Sequence, residues 1–262
     1  MKRFKIIPLI LFIAVFTACS TVPLTGRKQL NIANSAAIQQ EAGAAYQQFI
    51  RDPSTRVVRS GNDYQRVKNV GSRVATAIQK YLNENGYANQ YSFQWEFNLI
   101  QSQDINAWAM PGGKVAVYTG ILPVMANDAG LATVMAHEVA HVIARHAEER
   151  YSQTAGAQVL GGVVGAATGS QTVQQLYGLG GQLALLRYGR NQESEADRLG
   201  LIFMAMAGYD PENAVAFWQR MARAKEGNGT PPEFLSTHPS DETRISAIQK
   251  NMPEAKKYYT AR

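Results

Sequence analysis

The sequence predicts an α+β fold: one mostly helical domain with a small β-sheet set beside a long buried helix. Three observations carry this. Apolar residues recur at helical spacing over 35–50 and 64–82. Over 91–100 the period drops to two, and a Pro-Gly-Gly turn follows, flanked by short apolar runs. From residue 127 onward the helical patterns return. With 262 residues, 45% hydrophobic and 18% charged, the chain is long enough for one large domain around a substantial core.

The leading stretch MKRFKIIPLILFIAVFTACS opens with Lys2, Arg3 and Lys5, turns apolar from Ile6 to Phe16 and places small residues before Cys19. That is the layout of a secretory signal, and the apolar run is too short for a comfortable membrane span. Cys19 is the single cysteine, so no internal disulfide can form. FTAC resembles a bacterial lipobox, with Phe16 where the pattern usually carries leucine; the resemblance implies that Cys19 is lipidated and becomes the mature N-terminus. Ser20 follows, with no aspartate to retain the chain at the inner membrane. The expected organisation is a signal peptide over 1–18, a lipidated N-terminus and polar tether over 19–35, and a folded domain over 36–262. Localisation would be periplasmic, anchored to the outer membrane. Setting the leader's three cations aside leaves about +3 of the formal +6 charge. No Lys/Arg cluster marks a nucleic-acid surface, so that class of partner is excluded.

The elements follow in order. Helices are expected over Ser35–Ile50 and Tyr64–Leu82, the second with Val67, Val70, Val74, Ile78 and Leu82 on one stripe. In YSFQWEFNLI, Tyr91, Phe93, Trp95, Phe97 and Leu99 alternate with polar residues, which predicts a half-buried strand over 91–100. INAWAM and KVAVYTG flank the MPGG turn as a strand pair. A long helix comes next, capped near Asn127 or Asp128. Between Tyr151 and Leu186 there is no charged residue and glycine is frequent. Six glutamines break that surface, so a helical hairpin or cover over a cleft is expected there rather than a membrane span. Helices resume over 190–207, in DPENAVAFWQRMARA with Asp210 as N-cap, and after Asp241.

Three of the four histidines fall in VMAHEVAHVIARHAEER, residues 134–150. Residues four apart on a helix are separated by about 40° around its axis, so His137 and His141 face the same way and can grip one zinc ion. Glu138 projects about 100° from His137, placed to act on a water at the metal without being a ligand. Leu131, Val134, Met135, Val139, Val142 and Ile143 surround the motif, so the helix is buried on most sides. Buried His and Glu need partners, and a metal supplies them. His146 would project about 180° from His137 on a continuing helix, and is expected to be structural. A catalytic zinc usually takes a third protein ligand. RNQESEADRLG offers Glu193, Glu195 and Asp197, with Glu193 and Asp197 on one face and Glu195 roughly opposite. A structural zinc module is disfavoured, because such sites favour four closed ligands rich in cysteine.

HEVAH (137–141) followed by ESEAD (193–197) resembles the zinc peptidase family that includes HtpX and the CAAX prenyl endopeptidases. NAWAMPGGKVAVYTG (106–120) and THPSDETR (237–244) resemble its further segments, and the likeness spans roughly 60–250. Its short periplasmic lipoprotein branch, of the LoiP/YcaL type and like the protease domain of BepA, is the nearest in outline. The resemblance implies a zincin-like metallopeptidase domain with one Zn2+ held by His137, His141 and Glu193, and with Glu138 as general base. It implies that Asp197 orients a ligating imidazole. His238, in the loop-like PPEFLSTHPSDE, is a candidate regulatory ligand at the open zinc position or, with Arg244 and Tyr188, a transition-state stabiliser. Asn106, Ala107, Trp108 and Ala109 are the expected edge strand to which substrate adds. The expected activity is endoproteolysis of misfolded or unassembled envelope polypeptides, with the outer-membrane assembly machinery as a further partner. The alternative is a chaperone or assembly factor with secondary or latent peptidase activity.

Overall fold

In the computed structural model, residues 19–30, 33–153, 188–227, 233–238 and 242–260 are described. The expected tether is in fact structured: β1 (Cys19–Thr21) and β2 (Lys28–Leu30) pair antiparallel. Val22 in their connection is buried, which fastens the hairpin to the domain. Helix α1 (Ser35–Arg51) starts at Asn34, whose side chain accepts from the Ala36 and Ala37 N–H groups. After β3 (Val57–Val58), helix α2 (Asn62–Glu84) buries Val67, Val70, Val74, Ile78 and Leu82, the stripe read from the sequence.

The sheet is shorter than the alternation suggests. β4 covers only Glu96–Ile100, and β5 (Ala107–Met110) and β6 (Lys114–Tyr118) form the expected hairpin. Strand order is β3-β4-β6-β5, with β4 and β6 parallel and the other pairs antiparallel. β6 offers partners only from Lys114 onward, opposite Glu96, so among the described residues those before Glu96 face no strand, and the Gln94 N–H donates to the Gly112 carbonyl in the turn instead. Their alternation serves ring packing instead. Tyr91, Phe93, Trp95 and Phe97 stack in succession at centroid spacings of 5.4, 4.5 and 6.0 Å. The turn between β5 and β6 needs Gly112 and Gly113, at φ +84° and +90°.

Each sheet face has its own core. Ile100, Trp108, Met110 and Ala116 pack under Ile38, Ala42 and Tyr46 of α1. Phe97, Leu99, Ala107, Ala109, Val115 and Val117 face the main core with α2 and the long helix α4 (Asp128–Ile143), which follows the short α3 (Leu122–Met125). Asn127 caps α4 by accepting from the Gly130 N–H at 2.8 Å. Every residue of α4 from Gly130 onward is buried.

α4 then breaks. Ala144 ends it and Arg145 takes φ +52°, after which 146–153 are again helical. The 180° projection expected for His146 assumes a continuous helix, and the left-handed residue removes it. Residues 154–187, which carry the proposed uncharged cover, lie outside the described residues.

Helix α5 (Arg190–Met206) crosses α4 so closely that a Cβ on Gly200 would stand 3.1 Å from the His137 Cα. Only glycine fits there without pushing the helices apart. α6 (Asn213–Gly227) begins three residues after Asp210, whose carboxylate accepts from the Glu212 N–H in the preceding turn. α7 (Glu233–Thr237) is a short helix where a loop was expected, and it ends at His238. α8 (Glu242–Lys256) follows.

Candidate active site

The crossing of α4 and α5 makes the site. His137, Glu138 and His141 come from α4 and Glu193 and Asp197 from α5, one turn apart. His238 enters from the end of α7. The His137 and His141 Nε2 atoms are 3.1 Å apart. Glu193 Oε2 lies 3.5 Å from His137 Nε2, and its Oε1 3.4 Å from His141 Nε2. His238 Nδ1 stands 3.0 Å from Glu193 Oε1 and 3.2 Å from His137 Nε2. His137, His141, Glu193 and His238 are all buried, and they form the one group of donors able to hold a metal among the described residues.

The donor set fits a metal. Four tetrahedral ligands at about 2.0–2.1 Å from a zinc ion would stand about 3.3 Å from one another. The 3.0–3.5 Å separations match that edge. Imidazole nitrogens aimed at each other across 3.1 Å in a dry interior are placed so that one cation can be ligated by both.

The electrostatics agree. Burial disfavours a charge on His137, yet hydrogen bonds donated to the Asp197 and Glu193 carboxylates raise it to about 9: the pocket favours positive charge. Burial, opposed by Glu193, holds His141 well below the usual histidine range, in the neutral form that ligates metal. Burial alone would raise Glu193, but His238, His137 and His141 keep it well below the usual carboxylate range. Burial raises Glu138, with His238 and His137 opposing. Glu138 Oε1 makes no hydrogen bond of good geometry, although His238 Nε2 stands 3.3 Å away. A carboxylate so placed is ready to take a proton.

The remaining candidates fall around this set. Asp197 Oδ1 is 3.0 Å from His137 Nδ1, the nitrogen turned away from the donor cluster. Arg244 packs behind, its guanidinium on Asp197, 3.2 Å from Glu193 and 3.5 Å from the Trp218 ring centre. Tyr188 stacks on His141 at 3.9 Å. Among the described residues β5 is an edge strand, as expected. Tyr118 N–H donates to the Asn106 carbonyl, which sets the ladder so that Ala107 and Ala109 turn their N–H and C=O groups to the free edge. Ala109 N–H donates to Glu138. Trp108 points instead into the core beneath α1.

Two groups beside the site were not assigned to it by the sequence reading. His146 Nδ1 lies 2.8 Å from His141 Nδ1, and its Nε2 is 3.0 Å from Glu195 Oε2. The positive φ at Arg145 that brings His146 round has no sequence signal such as glycine or asparagine.

A buried His-Glu-x-x-His helix crossed by a carboxylate-bearing helix, beside an edge strand of a small sheet, defines a metallopeptidase. The chain belongs to peptidase family M48, whose sequence model matches residues 65–252. It is similar to mitochondrial metalloendopeptidase OMA1 of Schizosaccharomyces pombe, 34% identical over 248 residues that cover 92% of this chain and 68% of that protein. OMA1 of Saccharomyces cerevisiae is 38% identical over 172 residues, 63% of this chain and 49% of that one. The beta-barrel assembly-enhancing protease of Escherichia coli K12 is 31% identical over 185 residues, 64% of this chain and 38% of that one. These matches bear out the resemblance at the level of the family, though not the HtpX/CAAX or LoiP branch within it.

Proposed function

We propose that this protein is a zinc endopeptidase of the bacterial cell envelope that cleaves misfolded or unassembled polypeptides. The observation that carries the chemistry is the buried donor set of His137, His141, Glu193 and His238 with Glu138 beside it. His137, His141 and Glu193 hold the zinc. When bound, zinc supplies the Lewis acidity that makes a water nucleophilic near neutral pH and polarises a peptide carbonyl. Glu138 takes the nucleophile's proton on Oε1 and passes it to the leaving amine. Asp197 fixes the His137 ring and Arg244 fixes Asp197. The substrate pairs with Ala107 and the Ala109 carbonyl as an added strand, which carries it past Glu138.

The envelope assignment, with lipidation at Cys19 and outer-membrane anchoring, rests on the leader sequence. It is supported by the similarity to an assembly-enhancing protease. The similarity to mitochondrial proteins makes location the part to test first. Among the described residues no helix is long and apolar enough to cross a membrane.

A second reading has its own support. His238 stands where a fourth ligand would, so the resting enzyme is latent, and an assembly role can coexist with a closed site. The deciding experiment is digestion of unfolded outer-membrane proteins by purified protein, with and without chelator, alongside its zinc content. Chelator-insensitive digestion, or no zinc, would overturn the endopeptidase reading.

A further inference from the structure

We propose that His146 and Glu195 are positioning residues for His141, and that the N-terminal hairpin holds them in place through Arg27. This rests on the reading of His141 as a metal ligand. His141 presents Nε2 to the donor cluster, so its Nδ1 must carry the hydrogen. Among the described residues that N–H has one partner at hydrogen-bond distance, His146 Nδ1 at 2.8 Å, which therefore accepts. His146 must then be protonated on Nε2, and that N–H donates to Glu195 Oε2 at 3.0 Å. Geometry thus fixes both tautomers, and a carboxylate orients the metal-facing imidazole through a second imidazole. The usual arrangement has the carboxylate in direct contact with the ligand, as Asp197 does with His137.

The chain of bonds does not stop at Glu195. Thr25 donates its hydroxyl to Glu195 Oε1 at 2.5 Å, and Arg27 Nε donates to Oε2 at 2.6 Å. The other arm of Arg27 forks onto both oxygens of Glu149, at 2.8 and 2.9 Å, and Gln192 donates to the same carboxylate. The 19–30 hairpin is thereby bonded to the helical 146–153 stretch and to α5, the two segments that supply His146 and Glu195. His146 is fully buried, so it has no water as a substitute partner, and Glu195 is buried beside it. A fork of this kind needs arginine's planar guanidinium, which lysine does not reproduce.

The test is metal affinity by chelator competition on the purified full chain, with the absorption of the cobalt-substituted protein as a second readout. His146→Ala should lower affinity about 10–100-fold. His146→Asn, which keeps an acceptor near the Nδ1 position, should recover part of it. Glu195→Gln and Arg27→Ala should each lower affinity less than His146→Ala, and together by less than the product of their separate effects, because they act through one chain of bonds. Both should shift the cobalt spectrum, which a merely structural role would not do. The proposal is overturned if His146→Ala, Glu195→Gln and Arg27→Ala bind metal with unchanged affinity and spectrum while His141→Ala loses it, even if they melt earlier. If His146→Ala does not fold, the Glu195 and Arg27 variants decide alone. Should His141→Ala keep the metal, the ligand assignment falls, and this inference with it.

Discussion

Arg244 grips Asp197 with two hydrogen bonds of 2.8 Å, one to each carboxylate oxygen, and Asp197 in turn faces the Nδ1 of His137. The site is therefore braced from behind by a buried ion pair, with Trp218 stacked against the guanidinium. Removing one partner of such a pair leaves an uncompensated buried charge, which typically costs about 3–5 kcal/mol. Arg244→Ala should lower the thermal midpoint and weaken metal binding together. Arg244→Lys keeps the charge but not the fork, so it should recover much of the stability and less of the metal affinity. Equal recovery of both would mean that Arg244 contributes charge alone.

Glu138→Gln should reduce peptide hydrolysis by at least about 10²–10⁴-fold while zinc stays near one per chain, because the amide cannot take a proton. Glu193→Ala should abolish stoichiometric binding, whereas Glu195→Ala should weaken it without abolishing it. Metal analysis of the three variants separates the roles. Zinc loss in Glu138→Gln would make Glu138 a ligand rather than the base.

On the proposal that His238 would fill the fourth position that the nucleophile requires, His238→Ala should increase proteolysis, including self-cleavage, without reducing zinc occupancy. An inactive variant with full zinc would instead make His238 a stabiliser of the transition state. Casein hydrolysis with parallel metal analysis distinguishes the two.

Much of this site was legible in the sequence because helical geometry is local. The i, i+4 spacing of His137 and His141 and of Glu193 and Asp197 puts each pair on one face whatever the rest of the chain does. The stripe of α2 and the β5–β6 hairpin were legible for the same reason. What failed was set by partners distant in sequence. Residues before Glu96 alternate as a strand does, but among the described residues they have rings to stack on and face no strand. The 19–30 segment looks like a polar tether until Glu149 and Glu195 meet Arg27 across more than a hundred residues. His146 was placed on the wrong side of the axis because nothing in Ala144-Arg145 announces a left-handed residue.

Glu148 gives the fold a pH dependence of its own, away from the metal donors. Burial pushes its carboxyl up to about 7 from an ordinary value of 4.5. The folded state then holds this proton more tightly than the unfolded chain does. The associated stability is complete below pH 4.5 and is lost as pH rises through about 7. The loss is on the order of 3 kcal/mol. Glu148→Gln, which cannot ionise, should flatten the decline between pH 5 and 8 and melt later than the parent at pH 8. Denaturant midpoints at several pH values, read as the difference between variant and parent, check this. A difference that does not vary with pH would show that Glu148 is ionised in the fold throughout.

The last prediction concerns the edge of β5. Ala107 turns its N–H away from β6, so Ala107→Pro should leave the β5–β6 ladder intact while deleting one bond to an added strand. Trp108→Pro is the control: its N–H faces β6 and its ring packs on Tyr46 and Phe49, so that change should unfold the strand. For Ala107→Pro the expected result is a KM raised several-fold for an extended peptide, with thermal midpoint and zinc content near those of the parent. A net hydrogen bond of about 1 kcal/mol corresponds to roughly a five-fold change. The effect should shrink for short peptides that reach only the metal and Glu138, because they never pair with Ala107. If KM is unchanged for long and short peptides alike, the substrate runs elsewhere and β5 is only the wall behind Glu138.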